Sequence, residues 1–404
     1  MVRKIALPIV FILLIAIPAL SQGNKQKAIE LYEKGEKALA NKEYFKAQAH
    51  YTECLRLEPR YAEAYRSRAI AREYLGEAAK ALTDFNIYVD LRPDDAEALF
   101  NRAVLRFDAK QYLPARQDFL KLLSMPPGAE TNTVYYRQEK FGNGETRIQT
   151  AQSGAKDHIC NYLGQIETQL KRYPIAIHWL DSAILLAPTN GAYYVNRGLA
   201  RIERGDKAGA TADYEHALKL DPNNSLALHN LAAVKSLSGD TESAEKLLSE
   251  SIAKNEKLPY PRAERAYQRL QKGDLKGALE DYDEVVRLEP REEDNYLNRG
   301  LVKEKMKNLD GALADFSQAI HLNEKNPKAW VCRGNVVSKM GRWKEAVEDY
   351  TIAIALDAKY GNAFYNRAIS QQLVGNAFEA CIDLKSASRL GIKEADKLIP
   401  KVCK

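Results

Sequence analysis

Residues 196–214 read NRGLARIERGDKAGATADY, and residues 298–316 read NRGLVKEKMKNLDGALADF. The two agree at Asn, Arg, Gly, Leu, a Gly-Ala pair, Ala and Asp, and they stand 102 residues apart, three times 34. Sliding the 404-residue chain against itself by 34 shows the same unit elsewhere, with prolines at 59, 93 and 127 and again at 188, 222 and 290. With that proline at position 32, ten units begin at Ala28, Ala62, Ala96, Asp157, Gly191, Ser225, Pro259, Glu293, Pro327 and Gly361. A fixed period of this length is the mark of stacked supersecondary units rather than of one compact core.

The columns of this internal alignment have physical meanings. Position 20 is Ala in all ten units, from Ala47 to Ala380, and position 8 is Gly or Ala in all ten, from Gly35 to Ala368. Gly inside a helix costs about 1 kcal/mol against Ala, so a column that accepts Gly and nothing larger than Ala marks a close helix–helix approach. Position 24 is always large, as in Tyr51, Phe85, Leu180 and Phe316. Small residues facing one bulky plug describe two antiparallel helices, A and B, packed knob to hole. Six glycines at position 15 (Gly76, Gly205, Gly239, Gly273, Gly341, Gly375) place the turn between them.

This pattern resembles the tetratricopeptide repeat family, whose signature is bulky at 4, small at 8, Ala at 20, aromatic at 24, small at 27 and Pro at 32. The resemblance covers 340 of 404 residues in ten copies. It implies an all-α, right-handed superhelical solenoid of helix-turn-helix repeats whose A helices line a concave, partner-binding groove. Two columns depart from the family. Position 11, ordinarily Tyr, is mostly basic (Arg72, Arg106, Arg201, Lys235, Arg269, Lys303), and position 7 is usually Arg instead of Leu.

The position-7 departure has a partner within the chain. Seven units carry Arg at 7 (Arg68, Arg102, Arg197, Arg265, Arg299, Arg333, Arg367), and the same seven carry Asp at 23 (Asp84, Asp118, Asp213, Asp281, Asp315, Asp349, Asp383). The other three pair Lys34 with His50, Leu163 with Trp179 and Leu231 with Leu247. Columns that switch together predict contact, so an Arg–Asp bridge is expected inside each of the seven repeats, with a structural role rather than a catalytic one.

Position 6, which faces the groove in the family, holds Asn101, Asn196, Asn230, Asn298 and Asn366. An Asn amide both donates and accepts, and so reads a peptide backbone without regard to sequence. The column is similar to the asparagine ladder of O-linked N-acetylglucosamine transferases, but Glu33, Ser67, Tyr162, Glu264 and Cys332 interrupt it. The alternative is Asn as a tolerated polar residue on an exposed helix. The carboxylate clamp of co-chaperone repeats is not matched: its places hold Tyr32, Glu36, Ser67, Glu97 and Asn101.

Outside the repeats, residues 1–21 combine a basic start (MVRK) with the 16-residue apolar run IALPIVFILLIAIPAL and small residues at Ala19 and Ser21. This predicts a bacterial secretory signal peptide cut after Ser21 and a periplasmic or extracellular destination; an uncleaved anchor is the alternative, for which the run is short. No Cys follows the run, so lipoprotein anchoring is not supported. Residues 130–156 interrupt the array between units 28–129 and 157–394, and β-branched and aromatic residues around Gly142-Asn143-Gly144 predict a β-hairpin of about 133–140 and 145–152. Two registers fit the charges, and the insertion is either a partner contact or a loop packed on neighbouring helices. The tail 395–404 places Ala395, Leu398, Ile399 and Val402 at helical spacing, as expected of a helix capping the last repeat.

Little chemistry is visible. The five cysteines (54, 160, 332, 381, 403) form no CxxC, and the six histidines show no HxxxH spacing, so no metal site is expected. Cysteines so scattered read as small buried hydrophobes, with a Cys381–Cys403 disulfide as the alternative at the C-terminus. No nucleophile elbow, P-loop or dinucleotide fingerprint is present, so neither enzymatic activity nor a cofactor is expected. The net charge of +6 is interleaved with acidic residues, which argues against nucleic acid as partner. The expectation is a scaffold of the bacterial envelope that binds a protein or peptide in the groove, with no membrane insertion once the leader is removed. The alternative is an accessory subunit of an envelope or secretion complex, contacting partners through the insertion or the convex face. Oligomeric state is not legible.

Overall fold

The computed structural model describes residues 9–125, 132–137, 147–152 and 156–403, with side chains over 23–125 and 156–403. The described residues form two compact units, one ending at Leu220 and one beginning at Asp221. The first holds helices α1 (Ile9–Ala40), α2 (Tyr44–Leu57), α3 (Ala62–Tyr74), α4 (Ala78–Leu91), α5 (Ala96–Asp108), α6 (Tyr112–Ser124), α7 (Lys156–Gln169), α8 (Tyr173–Leu186), α9 (Gly191–Arg204) and α10 (Lys207–Leu220). The second holds α11 (Ser225–Leu237), α12 (Thr241–Lys254), α13 (Pro259–Lys272), α14 (Leu275–Leu288), α15 (Glu293–Lys305) and α16 (Leu309–Leu322). It continues through α17 (Pro327–Lys339), α18 (Trp343–Leu356), α19 (Gly361–Leu373), α20 (Ala377–Arg389) and α21 (Lys393–Val402). The division at 220/221 is not one that the expected limits 28–129 and 157–394 mark, because the 34-residue period runs through it unchanged.

Every B helix begins at position 17, and from the second repeat on the A helices begin at position 1, α7 starting one residue early. At four places the side chain at position 34 caps the next A helix, as where Asp95 accepts from the Ala98 amide and Asn224 from Ala227. Between A and B, the residue at position 15 has positive φ in all ten repeats. Six are the glycines read from the sequence; the other four are Lys42, Lys110, Lys171 and Lys307, at φ 60, 59, 60 and 64°. A Cβ residue is strained there, and a Cβ added at Gly205 or Gly239 meets nothing within 4 Å, so the cost is one of backbone conformation alone. Lys307→Gly is therefore expected to stabilise α15–α16 by about 1 kcal/mol, seen as slower amide exchange in those helices; a neutral or destabilising result contradicts the strain.

Within a repeat the position-24 side chain is seated on position 8. A Cβ on Gly198 would lie 2.5 Å from Tyr214 Cε1, and one on Gly300 would lie 2.6 Å from Phe316 Cε1. Cores then run from one repeat into the next: Phe316, Ala319 and Ile320 of α16 bury with Ala329, Cys332 and Val336 of α17. No repeat completes its core alone, which is why the array propagates. Successive A helices also touch, α15 with α17 and α17 with α19 in the second unit, α7 with α9 in the first, at a density that successive B helices do not reach among the described residues. The A face is thus the inner face of each array.

Between α6 and α7, β1 (Asn132–Arg137) and β2 (Arg147–Gln152) pair antiparallel, Asn132 opposite Gln152 and Arg137 opposite Arg147. The expected strand ends at 140 and 145, and the Gly142-Asn143-Gly144 turn, lie outside the described residues. So do residues 1–8 of the expected leader, while 9–21 belong to the backbone of α1. Among the described residues no helix is long and apolar enough to cross a membrane. At the C-terminus α21 packs Ala395, Leu398, Ile399 and Val402 against Leu384 and Ala387 of α20.

Cys381 and Cys403 are joined in a disulfide that ties α21 to α20, which corrects the reading of all five cysteines as buried thiols. The remaining three are free and buried, and burial pushes the Cys54 and Cys332 thiols up to about 11. Closing a loop of 22 residues is worth about 3 kcal/mol. Cys403→Ser is expected to release α21, raising its amide exchange at least tenfold while α1–α10 keep theirs. Unchanged α21 protection refutes this.

Candidate functional site

The seven arginines at position 7 all reach the aspartate sixteen residues on. Arg299 donates from Nε to Asp315 Oδ2 at 2.9 Å and from Nη2 to Oδ1 at 2.6 Å. Arg68–Asp84, Arg102–Asp118, Arg265–Asp281, Arg333–Asp349 and Arg367–Asp383 repeat this two-pronged geometry at 2.6–3.0 Å. Arg197 does so on Asp213 at 2.6–3.2 Å. The carboxylates are buried, Asp84 to 1% exposure, so these groups are removed from solvent ligands. In one unit where the pair is absent the space is apolar: Leu163 and Trp179 pack in one cluster.

Two further contacts of this network were missed in the sequence. The basic residue at position 11 lands on the same aspartate: Arg72 on Asp84 at 2.6 Å, Arg106 on Asp118 and Arg201 on Asp213 at 2.7 Å, Arg269 on Asp281 at 3.0 Å and Lys303 on Asp315 at 2.8 Å. The signal was present, since five of the six basic residues at 11 share a unit with Asp at 23. Second, the position-7 arginine reaches back to position 25 of the preceding repeat, Arg197 to Asp181 at 2.7 Å, Arg299 to Asp283 at 2.9 Å and Arg265 to Ser249 at 3.0 Å. The bridge therefore ties A to B within a repeat and, at Arg68, Arg197, Arg265, Arg299 and Arg367, ties that repeat to the one before. Burial works against the Arg299 charge, yet Asp315 and Asp283 hold its pKa above the ordinary value.

The five asparagines at position 6 lie half-buried on the A face, and they divide into two kinds. Asn196 donates to Asn161 Oδ1 at 2.7 Å and Asn366 to Asn335 Oδ1 at 2.8 Å. Asn101, Asn230 and Asn298 have no side-chain partner among the described residues. Tyr162, one of the interruptions, stacks on Phe119 with centroids 4.9 Å apart and closes the face there with aromatic packing.

The second unit carries a cavity of about 430 Å³ on its A face, lined by His229, Tyr260, Ala263, Glu264, Tyr267, Tyr282, Glu289 and Asn298 among others. Its cause is legible in one column. Position 5 is Tyr, Arg, Phe, Asn, Val, His or Leu in nine units and Ala only at Ala263, so one missing side chain opens the space. The sequence reading noted Glu264 only as a gap in the asparagine column. Among the described residues no group of three or more His, Cys, Asp or Glu stands where it would hold a metal ion.

Four family models described as tetratricopeptide repeat match residues 32–95, 68–130, 191–224, 213–246 and 293–326. The human mitochondrial import receptor subunit TOM70 is 28% identical over 184 residues, which is 42% of this chain and 30% of that protein. The Glycine max Hsp70-Hsp90 organizing protein 1 is 29% identical over 100 residues, 25% of this chain and 18% of that one. The chain thus spans less than a third of the length of either. A solved C-terminal part of a repeat-containing protein from Cytophaga hutchinsonii, 14% identical, covers 58% of this chain and 97% of its own, with a TM-score of 0.49. Periodic helices, the seat at position 8 under position 24, and the matched segments lead to one assignment: the chain belongs to the tetratricopeptide repeat family.

Proposed function

We propose that this chain is a non-enzymatic interaction scaffold of the bacterial cell envelope, holding a peptide or partner protein on the inner, A-helix face of its arrays. Tetratricopeptide repeat proteins mediate protein–protein interactions. The observation that carries the finer reading is the contrast within the A face of the second unit: the Arg–Asp pairs are consumed in holding the repeats together, whereas Asn298 on the wall of an open cavity, and Asn230 next in sequence to the lining residue His229, have no side-chain partner among the described residues. Amides of this kind pair with a main chain as donor and acceptor at once. Export rests on the leader pattern and is supported by the Cys381–Cys403 disulfide, a bond that persists in oxidising compartments. The 130–156 insertion is read as a hairpin available for a second contact, supported by the pairing of β1 with β2.

A photo-crosslinking residue at exposed position 294, and separately at exposed Leu356 on helix α18, tests the reading in envelope extract. Crosslinking from 294, lost when Asn230→Ala/Asn298→Ala is added to the same protein, supports the groove; crosslinking from 356 alone assigns binding to the other face.

A further inference from the structure

The cavity beside α13 differs from the rest of the A face in charge as well as shape. Glu264 and Glu289 line it, no Lys or Arg does, and neither carboxylate has an ion-pair partner among the described residues. The four cations of α13 are committed elsewhere, Arg265 and Arg269 to Asp281, Lys272 to Glu245 and Arg262 to the Glu256 carbonyl. His229 Nδ1 on the wall is buried without a hydrogen-bond partner. Burial pushes this imidazole below its ordinary range, with Glu264 pulling the other way. Tyr260, Tyr267 and Tyr282 supply aromatic surface, the first two partly exposed at the mouth. The lining is therefore rich in acceptors and π-faces and poor in cations. A planar guanidinium has five donors and no acceptor, stacks on aromatic rings and pairs with carboxylates. The volume lies at the lower end of the range for small-ligand sites, enough for one long side chain and its waters.

We propose that this cavity is a specificity pocket for a basic side chain, arginine before lysine, projecting from the segment held on the A face. Glu264 is the main charge partner, kept in place by Gln268, whose Nε2 donates to its Oε1 at 3.2 Å. This rests on the groove reading and adds the identity of one recognised residue: asparagines hold the main chain, and the pocket at Ala263 sets register by requiring a cation at one place.

The test is selection from a displayed library of random twelve-residue peptides on the full chain, repeated with Glu264→Gln and Glu264→Lys. Wild type is expected to enrich Arg, then Lys, at a single position of the aligned winners. Glu264→Gln should lose that preference and bind the wild-type winners about tenfold more weakly, a loss of about 1.4 kcal/mol. Glu264→Lys should select Asp or Glu at the same position, a gain that misfolding cannot produce. Winners without a basic position, or winners bound equally by Glu264→Gln, overturn the pocket and leave the groove standing. No enrichment from any of the three proteins overturns both.

Discussion

Asp349→Ala is expected to cost about 3–5 kcal/mol in the local stability of α17 and α18, whereas the double substitution Arg333→Leu/Asp349→Leu returns to within about 1 kcal/mol of wild type. Unit nine is the cleanest place to look. Arg333 donates to Asp349 at 3.0 and 2.6 Å, and position 11 there is Val337, so no second cation shares the carboxylate. Removing the aspartate leaves a guanidinium 27% exposed without a hydrogen-bond acceptor, with the Trp330 ring 4.8 Å from its carbon and the more distant charge of Glu345 for company. Removing both charges leaves shape without an orphan, a solution the chain itself uses with Leu231 and Leu247. Amide exchange in α17–α18 is the readout, since repeat arrays open locally rather than all at once. Equal losses from the single and double variants would show that the bridge itself, rather than the avoidance of a stranded charge, supplies the stability.

The second large effect concerns the plug and its seat. Phe316 is fully buried, and Phe316→Ala is expected to cost about 3–5 kcal/mol through lost burial and the void left behind. Gly300→Leu alone overpacks the same space from the opposite helix, because even its Cβ would sit 2.6 Å from the ring; about 1–3 kcal/mol is expected. Combined, the two changes refill one volume from the other side, so the double variant should be more stable than Phe316→Ala alone. Simple additivity of the two losses, measured by denaturant unfolding and by exchange in α15–α16, would mean that the two positions do not share a seat.

What was legible in the sequence follows from what repetition makes visible. Ten copies reveal which columns accept only small residues and which switch together, so the turn at position 15, the position-8 seat and the Arg–Asp pairs follow from residues alone. Contacts between copies were harder to read, because position 25 varies among Asp181, Asp283, Ser249 and Thr351 and only its polarity persists. The turn lysines were hidden for a different reason: Lys has no preference for positive φ, and only the neighbouring turns force Lys42, Lys110, Lys171 and Lys307 into it. The cavity was hidden by being an absence, one Ala at position 5 whose neighbours do not close over it. Its wall combines residues from four helices, α11, α13, α14 and α15, that no single window of sequence brings together.

The central claim is that recognition takes place on the A helices while the B helices and their aspartates hold the array. Hydrogen exchange of the full chain with and without a saturating selected peptide tests it most directly. The expected result is added protection in α11, α13 and α15, with α12 and α16 unchanged; protection confined to the B helices, or to the 130–156 insertion, would contradict it.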